Sequence, residues 1–528
     1  MRAFLCFSLA VALAGPVSAQ CLIDELRPAG LPSDAGFGRS VARDGDTLFV
    51  GAPEDVTNGN PTGAVYWYRR VAPAAWTLED RFPGELAGGH AVAIDGQWAA
   101  YSVGGGVRLL RRSGPGTWSA HDFIAGGAGV EFGNALDIQD GPTPRLVIGM
   151  PGAPVGQQAP QVWTFDGSSW VHEHTFVPSD GEFGQYGYDV AIDGVYVLVG
   201  APDDGDGALG AGSVYTYFLL TLDMSTTTWV EVQELLPPWA GAQNFGETLD
   251  ASDSGLIVGA PGSDPSRYSL WRRTGNSYSV DITPTGGTSS GHGVAIDGNR
   301  ALARVSPTLI QVIERDPNAG TWSLVGSVSG PNGFGESVDI DNGRFVVGVL
   351  EDQGSVQLRT YPLDDCNGNG MDDICDIANG VDGDADNDGI PNRCDCEVFE
   401  YCKALPNSTG SSARLGSDGI PSVSDNAFKL VADNQPAGVP GLFFYGATEV
   451  QIPFGDGFRC VGGTVTRMQP PMAADADGVS IRTIDFTSAP TMFVPGDTRK
   501  FQLWFRDPMG PGGSGFNLTP GLSVSFCE

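Results

Sequence analysis

The phrases Gly38-Arg-Ser-Val41, Asp44-Gly45 and Val50-Gly-Ala-Pro53 return together through the first two thirds of the chain, and their spacing decides the fold. The opening phrase recurs as Gly89-His-Ala-Val92, Gly133-Asn-Ala-Leu136, Gly187-Tyr-Asp-Val190, Gly246-Glu-Thr-Leu249, Gly291-His-Gly-Val294 and Gly335-Glu-Ser-Val338. Successive glycines are 51, 44, 54, 59, 45 and 44 residues apart, which suits a four-stranded blade and is too long for one solenoid turn. The turn recurs as Asp95-Gly96, Asp193-Gly194, Asp297-Gly298 or Asn342-Gly343, the residues that give a two-residue hairpin its positive φ angles. The second strand ends in Ile148-Gly-Met-Pro151, Val199-Gly-Ala-Pro202 or Val258-Gly-Ala-Pro261, where proline stops the ladder. A third strand alternates, as in Ala64-Val-Tyr-Trp-Tyr68, and a fourth opens on an aromatic such as Trp76, Trp118, Trp170 or Trp229.

These phrases resemble the FG-GAP repeat of the integrin α-subunit head, with Phe37-Gly38, Phe132-Gly133, Phe245-Gly246 and Phe334-Gly335 as FG and the Gly-Ala-Pro runs as GAP. The resemblance implies a seven-bladed β-propeller over residues 20–363. Copies two and six depart from it, reading Val103-Gly-Gly-Gly106 and Arg304-Val-Ser-Pro307 where GAP should stand. The integrin-type calcium loop between FG and GAP is replaced by a bare Asp-Gly hairpin, so the blades are expected not to need calcium. Copy seven supplies three strands only. Leu22-Ile-Asp-Glu-Leu-Arg-Pro28 reads like the fourth strand Val232-Gln-Glu-Leu-Leu-Pro237, so the N-terminus is expected to complete the last blade and remove two exposed edges. That places Cys21 near Cys366 as a disulfide clasp.

The chain has 528 residues, 63 Asp plus Glu against 29 Lys plus Arg, and a net charge of -34, which excludes a nucleic-acid binder because little basic charge remains for phosphates. A 41% hydrophobic content supports sizeable cores, and the Gly, Val, Asp, Thr and Ser bias is that of an all-β protein with tight turns. Arg2, the apolar stretch 3–14 and Val17-Ser18-Ala19 read as a secretory signal over residues 1–19, cut after Ala19. No later segment is apolar for long enough to span a membrane. The expected location is secreted, extracellular or at the cell surface. Without Cys6, eight cysteines remain, an even number suited to disulfides in an oxidising compartment.

Residues 364–396 carry two copies of a calcium-loop register. Asp365, Asn367, Asn369, Met371, Asp373 and Asp376 stand at positions 1, 3, 5, 7, 9 and 12, and Asp384, Asp386, Asp388, Ile390, Asn392 and Asp395 repeat them. Alternate oxygen ligands, a main-chain carbonyl at position 7, Gly370 or Gly389 at the sharp turn and a closing carboxylate suit a hard cation, so Ca2+ is the expected cofactor. No strong helix flanks either loop, and the segment resembles a thrombospondin type 3 repeat or a dockerin-like insert. Cys375 and Cys394 share position 11, which makes a bond between the loops reasonable, though six cysteines beyond the clasp allow fifteen pairings.

Residues 397–528 read as a C-terminal β-sandwich-like module. Its aromatics Phe443, Tyr445, Trp504 and Phe505 alternate, which puts part of them in a core and leaves the rest able to stack on sugars. Three weaker chemical signals need structural context. Arg39, His90, Asn134, Tyr188, Glu247, His292 and Glu336 share the position after the repeat glycine and could ring the channel mouth, although repeat-driven polarity explains them as well. Gly287-Thr-Ser-Ser-Gly291 matches a nucleophile elbow but lies in a loop between blades, not between a strand and a helix. Asp203, Asp204 and Asp206 read as a solvated loop before they read as an ion site.

No His pair has a metal-ligand spacing, and of the sialidase-type boxes only fragments such as Gly116-Thr-Trp118 are present. The expected function is therefore non-enzymatic: a calcium-binding recognition or adhesion protein whose propeller loops meet an extracellular protein or glycan. The alternative is an extracellular propeller hydrolase acting on glycans or phospholipids.

Overall fold

A computed structural model describes residues 21–527 apart from 58–59, 73, 85–87, 115, 127–130, 153–158, 182, 206–209, 222–226, 264, 285–290, 351–353, 361–371, 382–383, 385–389, 392–393, 395 and 489–492. The expected signal sequence and Cys21–Cys366 clasp fall outside the described residues and side chains. The chain divides into two compact units within the segment 364–376.

Among the described residues the first unit holds seven four-stranded antiparallel sheets. Blade 1 runs Val41–Asp44, Thr47–Ala52, Ala64–Ala72 and Ala75–Pro83, and blade 4 repeats it as Val190–Asp193, Tyr196–Ala201, Ser213–Thr221 and Thr227–Leu235. The inner strands touch in cyclic order, and Phe334–Asp341 of the last sheet meets Val41–Asp44 of the first. The sheets therefore form a closed ring, the β-propeller. Copies two and six obey the same order despite their irregular GAP, because Trp98–Val103 and Arg300–Ser306 keep an apolar second strand.

Closure uses the N-terminus as expected. Strand Cys21–Leu26 pairs antiparallel with Ser355–Thr360, with Leu26 opposite Val356 and Leu22 opposite Arg359.

The packing explains the repeated words. Each apolar core lies between consecutive blades: Leu48 and Val50 pack with Val346 and Val356 of blade 7, whereas Phe49 packs with Val92 and Tyr101 of blade 2. Both faces of a second strand are buried, so it reads as a continuous apolar run. The repeat glycine has φ between +79° and +91° in all seven copies, a region that favours glycine. Gly38 donates its N–H to the Gly51 carbonyl at 3.0 Å, pairing FG with GAP inside one blade. A β-carbon on Gly51 would strike the carbonyl oxygen of Gly89, the FG glycine of the next blade. The same collision awaits a side chain at Gly149, Gly200, Gly259 or Gly348, so the GAP glycine is where neighbouring blades come into backbone contact.

The second unit contains a two-layer β module. One sheet orders Val398–Tyr401, Gly521–Ser525, Thr498–Asp507, Pro440–Gly446 and Thr466–Arg467; the other orders Arg414–Asp418, Lys429–Asp433 and Ser480–Thr483. Leu415 and Leu430 of the small sheet, with Phe428 just before its second strand, meet Phe443, Phe501, Leu503 and Phe505 of the large one in a shared core. Disulfides Cys396–Cys527 and Cys402–Cys460 staple it. No helix among the described residues is long and apolar enough to cross a membrane.

Candidate functional site

The positions that follow the repeat glycine do converge on one mouth of the ring. Arg39, His90, Asn134, His292 and Glu336 line a cavity of about 200 Å³, together with Asp189 and Thr248. Of the other two, Glu247 sits beside it, with its Oε1 3.7 Å from Nδ1 of His292, and Tyr188 receives the Asn134 amide on its carbonyl at 2.7 Å. Burial pushes the His90 and His292 imidazoles down and the Glu247 carboxyl up. The histidines are therefore neutral at neutral pH, able to donate from one nitrogen and accept at the other. Arg304 of blade 6 holds Glu336 at 2.8 Å.

Part of this polarity serves the ring itself. Ser40 donates to the Gly89 carbonyl at 2.9 Å and Ser337 to Gly38 at 2.7 Å, and Thr248 donates to Gly291. Each bond crosses from one blade to the next.

On or next to the inner strands a set of carboxylates does the same work, and no feature of the sequence taken alone singles it out. Asp137, Asp250 and Asp339 occupy the fourth position after the repeat glycine, and Asp189 the second. Each accepts the N–H of its own following residue, and its other oxygen accepts a main-chain N–H of the next blade. The inter-blade partners are Ile192 for Asp137 at 2.7 Å, Leu249 for Asp189 at 2.7 Å, Ile296 for Asp250 at 2.8 Å and Arg43 for Asp339 at 2.6 Å. Inner strands of adjacent blades share no ladder, so these N–H groups would otherwise lack acceptors. Desolvation outweighs the N–H bonds and pushes Asp137, Asp189 and Asp339 up to about 7; Asp250 is also raised by burial. The only signal available beforehand was an Asp at one repeat position in three of seven copies.

A second acidic feature lies behind the GAP prolines. In blade 1 the buried Asp55 accepts the Tyr66 hydroxyl at 2.8 Å and Arg81 Nη2 at 2.7 Å, with Tyr66 opposite Arg81 in the ladder. In blade 4, Asp204 and Tyr215 take the places of Asp55 and Tyr66, but the residue opposite Tyr215 is Glu234. Charge at that position is thus reversed. The Tyr215 hydroxyl lies 2.6 Å from both Asp204 and Asp180, and ligand oxygens of Asp180, Asp204 and Glu234 lie within 4.8 Å of one another. The expected solvated loop is corrected here: Asp204 is fully buried, because Tyr215, eleven residues on, turns its hydroxyl onto it. Asp206 lies outside the described residues, as do residues 287–290 of the elbow-like motif.

Of the twelve predicted calcium ligands, Asp365, Asn367, Asn369, Met371, Asp386, Asp388, Asn392 and Asp395 lie outside the described residues. Asp373 and Asp376 are buried, Asp384 is half-buried and Ile390 is exposed. Where the sequence promised no strong helix, Asp373–Ala378 forms a short one, so positions 9 and 12 of the first loop share a helical turn. The reason is a cap: Asp372 Oδ1 accepts the Ile374 N–H at 3.0 Å. Cys375 and Cys394 are both disulfide-bonded. In the C-terminal module Phe443 and Phe505 are core, whereas Tyr445 and Trp504 are half-buried.

Comparison with known proteins agrees with the geometry at the level of the repeat. The FG-GAP repeat model matches residues 26–68 and 170–217, which fall on blade 1 and on the junction of blades 3 and 4. No curated protein matches the chain. Among solved structures, the chain is similar to a putative 6-phosphogluconolactonase from Bacteroides uniformis at 12% identity, covering 55% of this chain and 85% of that one with a TM-score of 0.41. A periplasmic gluconolactonase from Pseudomonas aeruginosa gives 14%, 56%, 85% and 0.37 for the same quantities. The β-propeller domain of Cps50 (Swd1) from Myceliophteria thermophila gives 13%, 64%, 99% and 0.44. The chain is thus a β-propeller of four-stranded sheets in which two stretches match the FG-GAP repeat.

Proposed function

We propose that this protein is an extracellular, calcium-binding recognition protein of the adhesive kind, whose propeller holds a protein or glycan partner without turning it over. The observation that carries the reading is the channel mouth, where Arg39, His90, Asn134, His292 and Glu336 bring donors, acceptors and both signs of charge to one cavity. Such a mixed rim suits selective contact with a polar partner. FG-GAP repeats and disulfides are both in keeping with an extracellular setting. Calcium belongs in this reading to residues 364–396, where Asp365 and Asp384 head two loops in register. The test is a screen against extracellular proteins and glycans with and without calcium, using the full chain and an Arg39→Ala, Glu336→Ala variant. Binding that ignores both substitutions would remove the mouth from the reading, and calorimetry without calcium uptake at millimolar levels would remove the loops.

The second reading is a hydrolase acting on glycans or phospholipids, and the observation favouring it is the neutral His292 beside Glu247. Turnover of either substrate class, abolished by His292→Ala, would replace the first reading with this one.

A further inference from the structure

The large sheet of the C-terminal module has two faces, and only one is accounted for by its core. Phe443, Leu503 and Phe505 point inward, so alternation sends Leu442, Phe444 and Trp504 to the opposite side. The hairpin Thr448–Phe454 and Gly457–Gly462 adjoins that side. Between them lies a cavity of about 440 Å³, floored by Leu442, Phe444 and Trp504 and rimmed by Phe454 and Val465. Arg459 and Arg467 also line it.

Neither arginine has a hydrogen bond or ion pair among the described residues, and the Arg459 Nε is buried without a partner. Three other cations of the module are ion-paired among the described residues: Lys429 with Asp418 at 2.8 Å, Arg499 with Asp497 at 3.0 Å and Lys500 with Glu449 at 2.6 Å. Two unpaired guanidiniums on one aromatic cavity are conspicuous in a chain where acids outnumber bases 63 to 29. Their setting is rigid. Cys460, next to Arg459, is bonded to Cys402, and Gln502 holds the hairpin by accepting the Cys460 N–H at 2.9 Å and donating to the Phe458 carbonyl at 2.8 Å.

A buried donor without an acceptor is costly, and a planar guanidinium fork matches a carboxylate. A half-buried indole beside it offers a flat apolar face to the C–H side of a pyranose ring. We propose that this cavity binds an acidic sugar unit of a polysaccharide, a uronate, with its carboxylate on Arg459 and Arg467 and its ring against Trp504. The site lies within the C-terminal module and does not depend on the reading given for the channel mouth.

The full chain, titrated with oligogalacturonate and followed by tryptophan fluorescence and calorimetry, tests this. Binding is expected for the uronate and not for neutral oligogalactose. Arg467→Ala should weaken it by about tenfold or more, the value of one charged hydrogen-bonded contact, and Trp504→Ala should weaken it by about tenfold through loss of the stacking face. Arg467→Lys, which keeps the charge and the fold but loses the fork, should fall between the wild type and Arg467→Ala. Lys429→Ala, which breaks only the exposed pair with Asp418, should leave the titration unchanged. The proposal is overturned if neutral and acidic sugars bind alike, if no uronate binds at millimolar concentration, or if Arg467→Lys and Arg467→Ala both bind as the wild type does. Binding to phosphatidylglycerol vesicles in place of the uronate would also overturn it, assigning the cavity to a phosphate headgroup.

Discussion

The Asp339 carboxylate accepts the main-chain N–H of Arg43 at 2.6 Å, across the junction where the last blade meets the first. Asp137, Asp189 and Asp250 make the corresponding bonds at other junctions, so buried carboxylates bind the ring together where strand ladders do not reach.

Stability should therefore depend on pH with a definite sign. Asp137, Asp189 and Asp339 are raised to about 7 in the folded protein, so the folded state keeps protons that the unfolded chain releases in the ordinary carboxylate range. Their contribution is complete at low pH and is lost as pH rises through about 7. Calorimetry should show the propeller melting at a lower temperature at pH 7.5 than at pH 5, with Asp339→Asn flattening that slope. A melting temperature that climbs across the window would mean that the N–H bonds, not burial, dominate.

Gly51→Ala should cost about 3 kcal/mol or more, since the β-carbon must displace the backbone of the next blade. Gly194→Ala is the comparison: its φ is +62° and nothing lies near its β-carbon, so only conformational strain remains, about 1 kcal/mol. Urea melts of the two variants would separate contact from conformation.

Arg81→Ala should cost about 3 kcal/mol, because it leaves Asp55, with a side chain only 5% exposed, without its cation. Arg69→Ala, which breaks the more open pair with Glu79, should cost under about 1 kcal/mol. Equal losses would show that the Asp55 pair is no more than a surface bridge.

Deleting residues 22–28 should lower the melting temperature by many degrees, because it strips blade 7 of the strand paired with Ser355–Thr360. An unchanged melting curve would show that closure does not depend on the N-terminus.

Legibility followed locality. The hairpin turns, the FG and GAP glycines and the missing strand of copy seven could be read because each is a local word repeated at a fixed phase. Copies two and six were the least legible, since their GAP is irregular, and only the structure shows apolar second strands in which Ser102 and Arg304 replace the GAP glycine. The channel carboxylates escaped notice because their partners are main-chain N–H groups about 50 residues away, which carry no side-chain signature. Asp204 looked solvated among Asp203, Gly205 and Asp206 because Tyr215 lies on a different strand. The reversal from Arg81 to Glu234 becomes visible only when the ladders fix which residues face Tyr66 and Tyr215. In the C-terminal module alternation separated Phe505 from Trp504, but the hairpin beside Trp504 belongs to tertiary structure.

The pairing of Cys21–Leu26 with Ser355–Thr360 also sets a timetable for manufacture. A chain is made from its N-terminus, so this strand exists before any of the blade it will complete. Its partner follows more than 300 residues later, and until then both edges of the unfinished ring stay open to other chains. Blades 1 to 6 can form in order of synthesis, each from contacts within about 50 residues, whereas the final step is one of the longest-range closures in the molecule. Completion of the propeller therefore has to wait until the segment through Thr360 has been delivered, and agents that shield strand edges should raise the yield of folded protein more than agents that accelerate individual hairpins.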